Sequence, residues 1–156
     1  MTTHSYGLLP WRSSVDGLEI LLGHMGGPFW ASKDAGAWTI PKGLPEGDES
    51  PLHTAQREFA EELGLPAPTE GFVDLGEVVQ SGGKTVRAWA VEHAVDPKSI
   101  RPGTFELVWP PRSGRVQSFP EIDRVRWMSP DRARAVIVAA QAQLLDRLVA
   151  LLDLQP

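Results

Sequence analysis

Three glutamates near the middle of the chain, Glu58, Glu61 and Glu62, have a spacing that indicates chemistry. In a helix, positions i, i+3 and i+4 share one face, so the three carboxylates would form a single patch. Like charges at this spacing cost a helix roughly 0.2–0.5 kcal/mol per pair, and one flanking cation, Arg57, cannot neutralise all three. Oxygen-only ligands favour a hard divalent cation such as Mg²⁺ or Mn²⁺ over zinc.

The same spacing also occurs on helices whose acidic face is simply solvated, and for an isolated run of this kind that is the commoner interpretation. Here the approach to the helix differs from an ordinary surface loop, because it contains Gly43 and Gly47. Those glycines let the backbone turn tightly towards the carboxylates. The combination of a tight loop with repelling acids favours a metal site over a solvated face.

A helix that carries the acidic patch is predicted from Pro51 to Leu63. Ser50 is a good N-cap, and Pro51 suits the first helical position, where a missing N–H is tolerated. Gly64, followed by Pro66, provides a C-terminal stop. Apolar residues recur at spacings of three or four and predict a buried stripe formed by Leu52, Ala55, Phe59 and Leu63.

The stretch from Gly43 to Leu65 resembles the signature of the Nudix hydrolase family, G-x5-E-x7-R-E-U-x-E-E-x-G-U, where U is a bulky apolar residue. Every fixed position is matched, by Gly43, Glu49, Arg57, Glu58, Glu61, Glu62 and Gly64, with Phe59 and Leu65 at the apolar positions. The resemblance implies an α/β fold, the Nudix α/β/α sandwich with a mixed sheet between helices. It also implies that residues 1–156 form a single Nudix hydrolase domain.

The resemblance implies an enzyme that cleaves a phosphoanhydride bond in a nucleoside diphosphate linked to another group. Its expected cofactor is Mg²⁺, with Mn²⁺ as a substitute. The implied metal ligands are Glu58, Glu61, Glu62 and the backbone carbonyl of Lys42. Arg57 is expected to orient Glu58 through a charge-assisted hydrogen bond, and Glu49 is expected to brace the loop rather than to bind metal.

The residue that takes a proton from water is not fixed by the motif, because family members differ in which glutamate does so. Glu121, a few residues before Trp127, is the candidate outside the motif, and Glu106 is the second candidate. For either residue the alternative is an ordinary surface carboxylate. The predicted catalytic set is therefore Arg57, Glu58, Glu61, Glu62 and Glu121.

The substrate is less clearly indicated. The segment Ile40–Gly43, together with Glu121 to Trp127, resembles hydrolases of dinucleoside polyphosphates such as diadenosine tetraphosphate. Alternatives are a (d)NTP pyrophosphohydrolase that removes oxidised nucleotides, a hydrolase of ADP-ribose or nucleotide sugars, and a sensor that binds a nucleotide without cleaving it. The sensor is disfavoured because every motif carboxylate is retained. Substrate contacts are predicted for Lys42, Gly43 and the loop residue Arg112, although exposed loop arginines usually contact no ligand.

The remaining pattern predicts the elements that position the site. The run Gly82–Thr85, GGKT, resembles the end of a phosphate-binding loop, but the required first glycine is Val78 and a strand follows, so a turn is predicted. Residues 26–36 form a loop that either packs on the core or lines the substrate cleft. The predicted strands are Ser5–Arg12, Leu18–His24, Trp38–Pro41, Phe72–Gln80, Thr85–Glu92, Phe105–Trp109 and Val125–Met128.

A helical region is predicted to begin at Ser129 and to carry apolar residues from Ala135 to Leu154. Its amphipathic pattern predicts that it covers the sheet, and a homodimer contact is the weaker alternative. Residues 96–114 are rich in Pro and Arg and are predicted to be loop, apart from the short strand at Phe105–Trp109.

Composition sets the broad class. The 156 residues are 42% hydrophobic and 22% charged, which is typical of a single globular domain. The absence of Cys excludes disulfides and thiol catalysis and makes a cytoplasmic location the default expectation. No apolar run is long enough to span a membrane, and the net charge of −5 argues against a nucleic-acid partner. The expected partner is a small nucleotide or polyphosphate, bound through cations that reverse the negative charge of the acidic site.

Overall fold

The computed structural model describes residues 3–153. Its strands are β1 (Thr3–Ser14), β2 (Gly17–Met25), β3 (Trp38–Thr39), β4 (Lys42–Gly43), β5 (Val73–Gln80), β6 (Lys84–Glu92), β7 (Thr104–Val108), β8 (Val116–Pro120) and β9 (Ile122–Met128). Its α-helices are α1 (Pro51–Leu63), α2 (Pro130–Val136) and α3 (Ala142–Asp153). None of the helices within residues 3–153 is both long and apolar enough to cross a membrane.

Seven strands form one mixed sheet in the order β3–β2–β1–β6–β5, with β4 paired to β1 and β9 paired to β2. Strands β1 and β6 are parallel and pair from Thr3 opposite Lys84 to Trp11 opposite Glu92. The other pairs in this sheet are antiparallel. Strands β7 and β8 form a separate antiparallel hairpin, in which Phe105 lies opposite Phe119.

Successive side chains of a strand point to opposite sides of the sheet, so each face has its own apolar cluster. Helices cover both faces. On one face α1 packs Phe59 and Leu63 against Leu8 and Leu21. On the other face lie the side chains of α3 and the neighbouring strand positions, in a cluster that includes Leu9, Ile20, Leu22, Leu144, Leu145 and Leu148. The predicted α/β/α sandwich with a mixed sheet is confirmed.

Helix α1 begins and ends at the predicted residues. The Ser50 hydroxyl accepts a hydrogen bond from the His53 N–H at 3.3 Å, which satisfies a free donor of the first turn. Gly64 adopts a left-handed conformation with φ of 65°, and its N–H donates to the Ala60 carbonyl at 2.8 Å. Local capping therefore fixes both ends of the helix that carries the acidic patch.

The C-terminal helical region is broken, which the apolar pattern did not predict. Helix α2 ends at Val136, and a single 3₁₀ turn at Ala139–Gln141 separates it from α3. The break follows from contacts with β3: the Val138 N–H donates to the Trp38 carbonyl at 2.8 Å, so the chain runs extended there. Leu154, at the predicted end of this region, lies outside the described residues.

The segment before β9 also differs from the prediction. The sequence predicted a loop over residues 96–114, interrupted by one short strand, and it predicted no partner for that strand. In the structure β8 follows this loop and pairs with β7. Most β8 side chains are exposed, so the segment lacks the apolar alternation that identifies a half-buried strand. Strand β9 begins at Ile122 rather than at the predicted Val125, and Glu121 is the only residue between β8 and β9.

Candidate active site

The segment that leads into the acidic helix is fixed on both sides before it reaches the site. The Leu8 N–H donates to the Pro41 carbonyl at 3.2 Å. The amide oxygen of Gln141, a fully buried residue, accepts a hydrogen bond from the Ile40 N–H at 3.1 Å. Beyond these contacts, the Lys42 N–H donates to Oε2 of Glu62 at 2.7 Å. The backbone of β4 is thus joined directly to a carboxylate of α1.

Arg57 is the centre of a hydrogen-bond network around the loop. Its Nε donates to Glu49 Oε2 at 2.8 Å, and its Nη2 donates to Glu49 Oε1 at 3.0 Å and to the Leu44 carbonyl at 2.8 Å. Its Nη1 donates to Glu58 Oε1 at 3.0 Å and to Glu61 Oε2 at 2.9 Å. The bond to Glu49 is the main cause that raises the Arg57 pKa, and it lowers the pKa of Glu49 to about 2.

This network contains the hydrogen bond from Arg57 to Glu58 that the sequence led us to expect. It also shows what Glu49 does, because both of its oxygens accept bonds from Arg57 and Oε1 accepts another from the Thr54 hydroxyl at 2.8 Å. Glu49 therefore fastens the loop to the helix.

Gly43 leaves the space that the Glu58 carboxylate occupies. A Cβ atom at Gly43 would lie 2.1 Å from Glu58 Cδ and 2.3 and 2.5 Å from its two oxygens. Any side chain at this position would displace the carboxylate. The glycine is therefore needed for space, since the loop passes against the acid itself.

Glu58, Glu62 and Glu121 line one cavity of about 410 Å³, together with Lys42. Glu121 thus reaches the motif carboxylates although it lies far from them in the sequence. Glu61 is hydrogen-bonded to Arg57, has a side chain that is 53% exposed, and is not among the residues that line this cavity. The complete lining consists of Met25, Gly26, Trp30, Lys42, Gly43, Glu58, Glu62, Phe105 and Glu121.

A series of backbone hydrogen bonds fixes Glu121 at the cavity. The Gly26 N–H donates to the Glu121 carbonyl at 2.9 Å, and the Glu121 N–H donates to the Gly103 carbonyl at 2.9 Å. The Gly103 N–H then donates to the Glu61 carbonyl on α1 at 3.0 Å. A Cβ atom at Gly26 would lie 1.8 Å from the Pro120 carbonyl oxygen, so this close approach requires glycine.

The carboxylates of the cavity are costly to ionise together. Burial, followed by the charge of Glu58, raises the pKa of Glu62 to about 8. Burial also raises the pKa of Glu58, although Arg57 opposes the effect, and Glu61 and Glu121 add to it. Burial and then the charge of Glu61 raise the pKa of Glu121. Added positive charge would favour the ionised form of all these groups.

The donor set fits a hard divalent cation. Three carboxylates share the cavity, and Gly43 leaves the space in which Glu58 can approach the backbone of β4. Within residues 3–153, however, no three acidic or histidine side chains already converge as a metal-ligand set. Instead, Glu58 and Glu61 are bonded to Arg57, and Glu62 is bonded to the Lys42 N–H. The ligand roles of Glu58, Glu61, Glu62 and the Lys42 carbonyl all stay predictions.

Other candidates lie elsewhere. Arg112 is in the turn between β7 and β8 with φ of 65° and is exposed, and Glu106 lies on the exposed face of β7. Neither is among the cavity-lining residues, so the substrate contact of Arg112 stays a prediction without structural support. In the loop after β2, Trp30 lines the cavity, which supports the cleft-wall interpretation of that loop.

Sequence reasoning missed Met25 and Phe105 at the cavity and Gly103 beside it. Gly26, directly after β2, and Gly103, directly before β7, were the available signal, because a glycine at a strand often marks close backbone approach.

Fold and site together define an α/β/α protein with a carboxylate-rich cavity beside a glycine-containing loop. The family model for the NUDIX domain matches residues 15–148. The chain therefore belongs to the NUDIX family. This membership supports the predicted enzyme class, a hydrolase acting on phosphoanhydride bonds.

Comparison with solved structures shows the same fold in other proteins. The Ap4A hydrolase of C. elegans in a binary complex is 21% identical, with a TM-score of 0.65 over 97% of this chain and 98% of that chain. The NUDIX domain of Shewanella oneidensis NrtR, complexed with ADP ribose, is 16% identical, with a TM-score of 0.64 over 97% and 89%. The E. coli ORF135 protein is 24% identical, with a TM-score of 0.59 over 99% and 95%. A comparison with curated protein sequences gives no match.

Proposed function

We propose that this protein is a Mg²⁺-dependent pyrophosphohydrolase that cleaves a phosphoanhydride bond in a nucleoside diphosphate linked to another group. The observation that carries the proposal is the cavity shared by Glu58, Glu62 and Glu121 with Lys42. Glu58, Glu61, Glu62 and the Lys42 carbonyl would hold the cation. When bound, a divalent cation supplies charge neutralisation for the diphosphate and lowers the pKa of a water molecule.

The protein's own groups have separate tasks in this proposal. Glu121 accepts the proton of the attacking water, and the burial that raises its pKa brings it closer to the value that suits a general base near neutral pH. Arg57 orients Glu58 through the 3.0 Å hydrogen bond and anchors the loop through Glu49. Lys42 lines the cavity and its positive charge acts on Glu62, so its ammonium group can attract phosphate oxygens.

For the substrate, we propose a dinucleoside polyphosphate such as diadenosine tetraphosphate. Lys42 also lines a second cavity of about 230 Å³, so this residue is common to both cavities. Lys84, at the start of β6, lines the second cavity too, and the lining contains no carboxylate. A long polyphosphate that leaves the carboxylates past Lys42 would therefore meet a second ammonium group. The likeness in fold to an Ap4A hydrolase agrees with this proposal.

Two alternatives differ in the length of the phosphate chain. ADP-ribose contains two phosphates, and a (d)NTP contains three phosphates attached to a single nucleoside. Neither phosphate chain needs a second cationic cavity. ADP-ribose is the stronger alternative ligand, because a NUDIX domain of similar fold was crystallised with it.

A product analysis tests the proposal. The purified protein is incubated with diadenosine tetraphosphate, dATP, 8-oxo-dGTP or ADP-ribose, each with Mg²⁺ and each with EDTA. We expect nucleotide products from diadenosine tetraphosphate with Mg²⁺ and none with EDTA. Faster cleavage of ADP-ribose would overturn the proposed substrate and leave the enzyme class standing. Nucleotide binding without cleavage of any member, with Mg²⁺ or Mn²⁺, would identify a sensor instead.

Replacing Lys84 by Ala tests the role of the second cavity. Loss of a charge-assisted contact of about 1.5 kcal/mol raises KM for diadenosine tetraphosphate roughly tenfold. The KM for ADP-ribose, whose phosphates do not reach the second cavity, should stay within about twofold, a change of under about 0.5 kcal/mol. Lys98→Ala is the matched control, because this exposed lysine lines neither cavity. Equal effects of the two variants on diadenosine tetraphosphate would exclude Lys84 from substrate binding.

A further inference from the structure

The active-site cavity has a polar half and an apolar half. The carboxylates and Lys42 share the lining with three apolar side chains, Met25, Trp30 and Phe105, which we call the apolar half. The nine lining residues include no amide or hydroxyl side chain, and the Trp30 indole N–H is the only neutral donor among their side chains. A polar ligand that needs specific hydrogen bonds is therefore poorly matched to the apolar half, whereas a flat ring is well matched.

The apolar half is built from two separate segments of the chain. Phe105 on β7 lies beside Phe119 on β8, with ring centroids 6.1 Å apart. Its ring lies against Gly27 in the loop after β2, where a Cβ atom would be 2.8 Å from Phe105 Cζ and where φ is +93°. At a second point Phe29 of that loop meets Trp109 edge to face, with centroids 5.2 Å apart. The loop and the hairpin thus hold each other in position.

Trp30 comes from the same loop and is oriented before any ligand binds. Its ring packs partly against the core cluster, and the Lys33 ammonium group lies 5.3 Å from the ring centroid, within cation–π range. Both Trp30 and Phe105 are only half-buried. Because both rings line the cavity, their exposed parts are available to a ligand that enters it.

We propose that Trp30 and Phe105 form a base-binding wall, on which the nucleobase of the substrate stacks while its phosphates face the carboxylates. The inference rests on the proposed function and adds the residues that hold the base. A cavity of about 410 Å³ is in the range for one small ligand, so it holds one nucleotide unit. Stacking is tolerant of base identity, because every base presents a π-face.

The wall predicts a particular pattern of selectivity. Since no amide or hydroxyl side chain is placed to read the edge of a base, adenine and guanine should bind alike. Purines should bind more tightly than pyrimidines, because they stack over a larger area. The base should nevertheless add clearly to affinity when compared with a ligand that has phosphates alone.

Calorimetric titration of the full chain in Mg²⁺ tests the wall with ADP, GDP, CDP and inorganic diphosphate. We expect ADP to bind wild type at least roughly tenfold more tightly than diphosphate, the lower range of a single stacked base. ADP and GDP should agree within about threefold, and CDP should be weaker than both. Diphosphate serves as the reference, because it measures the polar half without a base.

Two variants remove the wall independently, since Trp30 and Phe105 come from different segments. In Phe105→Leu and in Trp30→Leu the ratio of ADP to diphosphate affinity should fall at least about threefold. Phe105→Tyr keeps an aromatic ring and should retain the wild-type ratio. Phe72→Leu is the matched control, because it makes the same change at a half-buried ring that packs against the core beneath α1 and does not line the cavity.

The outcomes separate the wall from the proposed function. Equal affinity of wild type for ADP and diphosphate would overturn the wall, even if diadenosine tetraphosphate is cleaved. An unchanged ratio in both leucine variants would do the same. A tenfold preference for ADP that both leucine variants lose and Phe105→Tyr keeps would support the wall, even if no phosphoanhydride is cleaved and the proposed function fails.

Discussion

Replacing Glu62 by Gln should stabilise the protein in the absence of divalent cations at alkaline pH. Burial of this carboxyl group and the charge of Glu58 raise its pKa to about 8. Its Oε2 accepts the Lys42 N–H at 2.7 Å, and the amide oxygen of a glutamine can accept the same hydrogen bond. The substitution therefore removes the charge and retains the contact that joins α1 to β4.

The sign of the effect follows from the two pKa values. The carboxyl group has a pKa of about 8 in the folded protein, above its ordinary 4.5. Its contribution to stability is thus fully present below pH 4.5 and is lost as pH rises towards 8. At about 1.4 kcal/mol per pH unit the total loss is at most roughly 5 kcal/mol. The cavity is open to water and the charges of Glu58 and Glu62 affect each other's ionisation, so we expect a smaller gain of about 2 kcal/mol at pH 9.

Thermal unfolding in EDTA at pH 6 and at pH 9 measures this gain. For a domain of this size 2 kcal/mol corresponds to a rise in Tm of about 4–8 °C. The gain should be complete at pH 9 and less than about half as large at pH 6, because the cost of protonating Glu62 on folding grows from pH 4.5 to pH 8. Glu61→Gln is the control, because its exposed carboxylate carries no comparable burial cost. Adding Mg²⁺ should raise the Tm of wild type and have little effect on Glu62→Gln.

Equal Tm values for wild type and Glu62→Gln at both pH values would show that this carboxyl group ionises without cost. The electrostatic reasoning about the cavity would then be wrong. If Mg²⁺ stabilised Glu62→Gln as strongly as wild type, Glu62 would have to be removed from the proposed ligands.

Three further substitutions test other parts of the site. Glu121→Gln should lower kcat roughly 100- to 10,000-fold with little change in KM, as expected for loss of a general base, and wild-type kcat would exclude this role. Gly43→Ala should lower Mg²⁺-dependent kcat about 100-fold, because its Cβ displaces the Glu58 carboxylate; normal turnover would contradict the steric argument. Arg57→Lys should lower kcat at least about tenfold, since lysine cannot bond Glu49 and Glu58 through a planar fork, and full activity would show that charge alone suffices.

The helix and its acidic face were predictable because the relevant interactions are local. Ser50, Pro51 and Gly64 lie within a turn of the helix ends that they define. The bond from Arg57 to Glu61 follows from the i, i+4 spacing, which places both residues on one helix face. A short motif could therefore indicate both the secondary structure and the chemistry.

The apolar half of the cavity was not predictable, because it depends on contacts between distant segments. Trp30 and Phe105 meet at the cavity only after the loop that follows β2 packs against the hairpin. That hairpin depends on β8, whose exposed residues give little periodic signal. The broken C-terminal region has a similar cause, since a bond from Val138 to Trp38 overrides a helical apolar pattern.

The position of Glu121 combines a local and a distant contribution. Its carbonyl accepts the Gly26 N–H, its N–H donates to Gly103, and Gly103 donates to Glu61 on the motif helix. The main chain, rather than the flexible glutamate side chain, thus fixes how far the proposed base lies from the proposed metal ligands. A Cβ atom at Gly103 would lie 3.1 Å from the Glu61 carbonyl oxygen, so a side chain there would press on the bond that joins the two. The geometry of proton transfer consequently depends on two glycines outside the motif as much as on the motif itself.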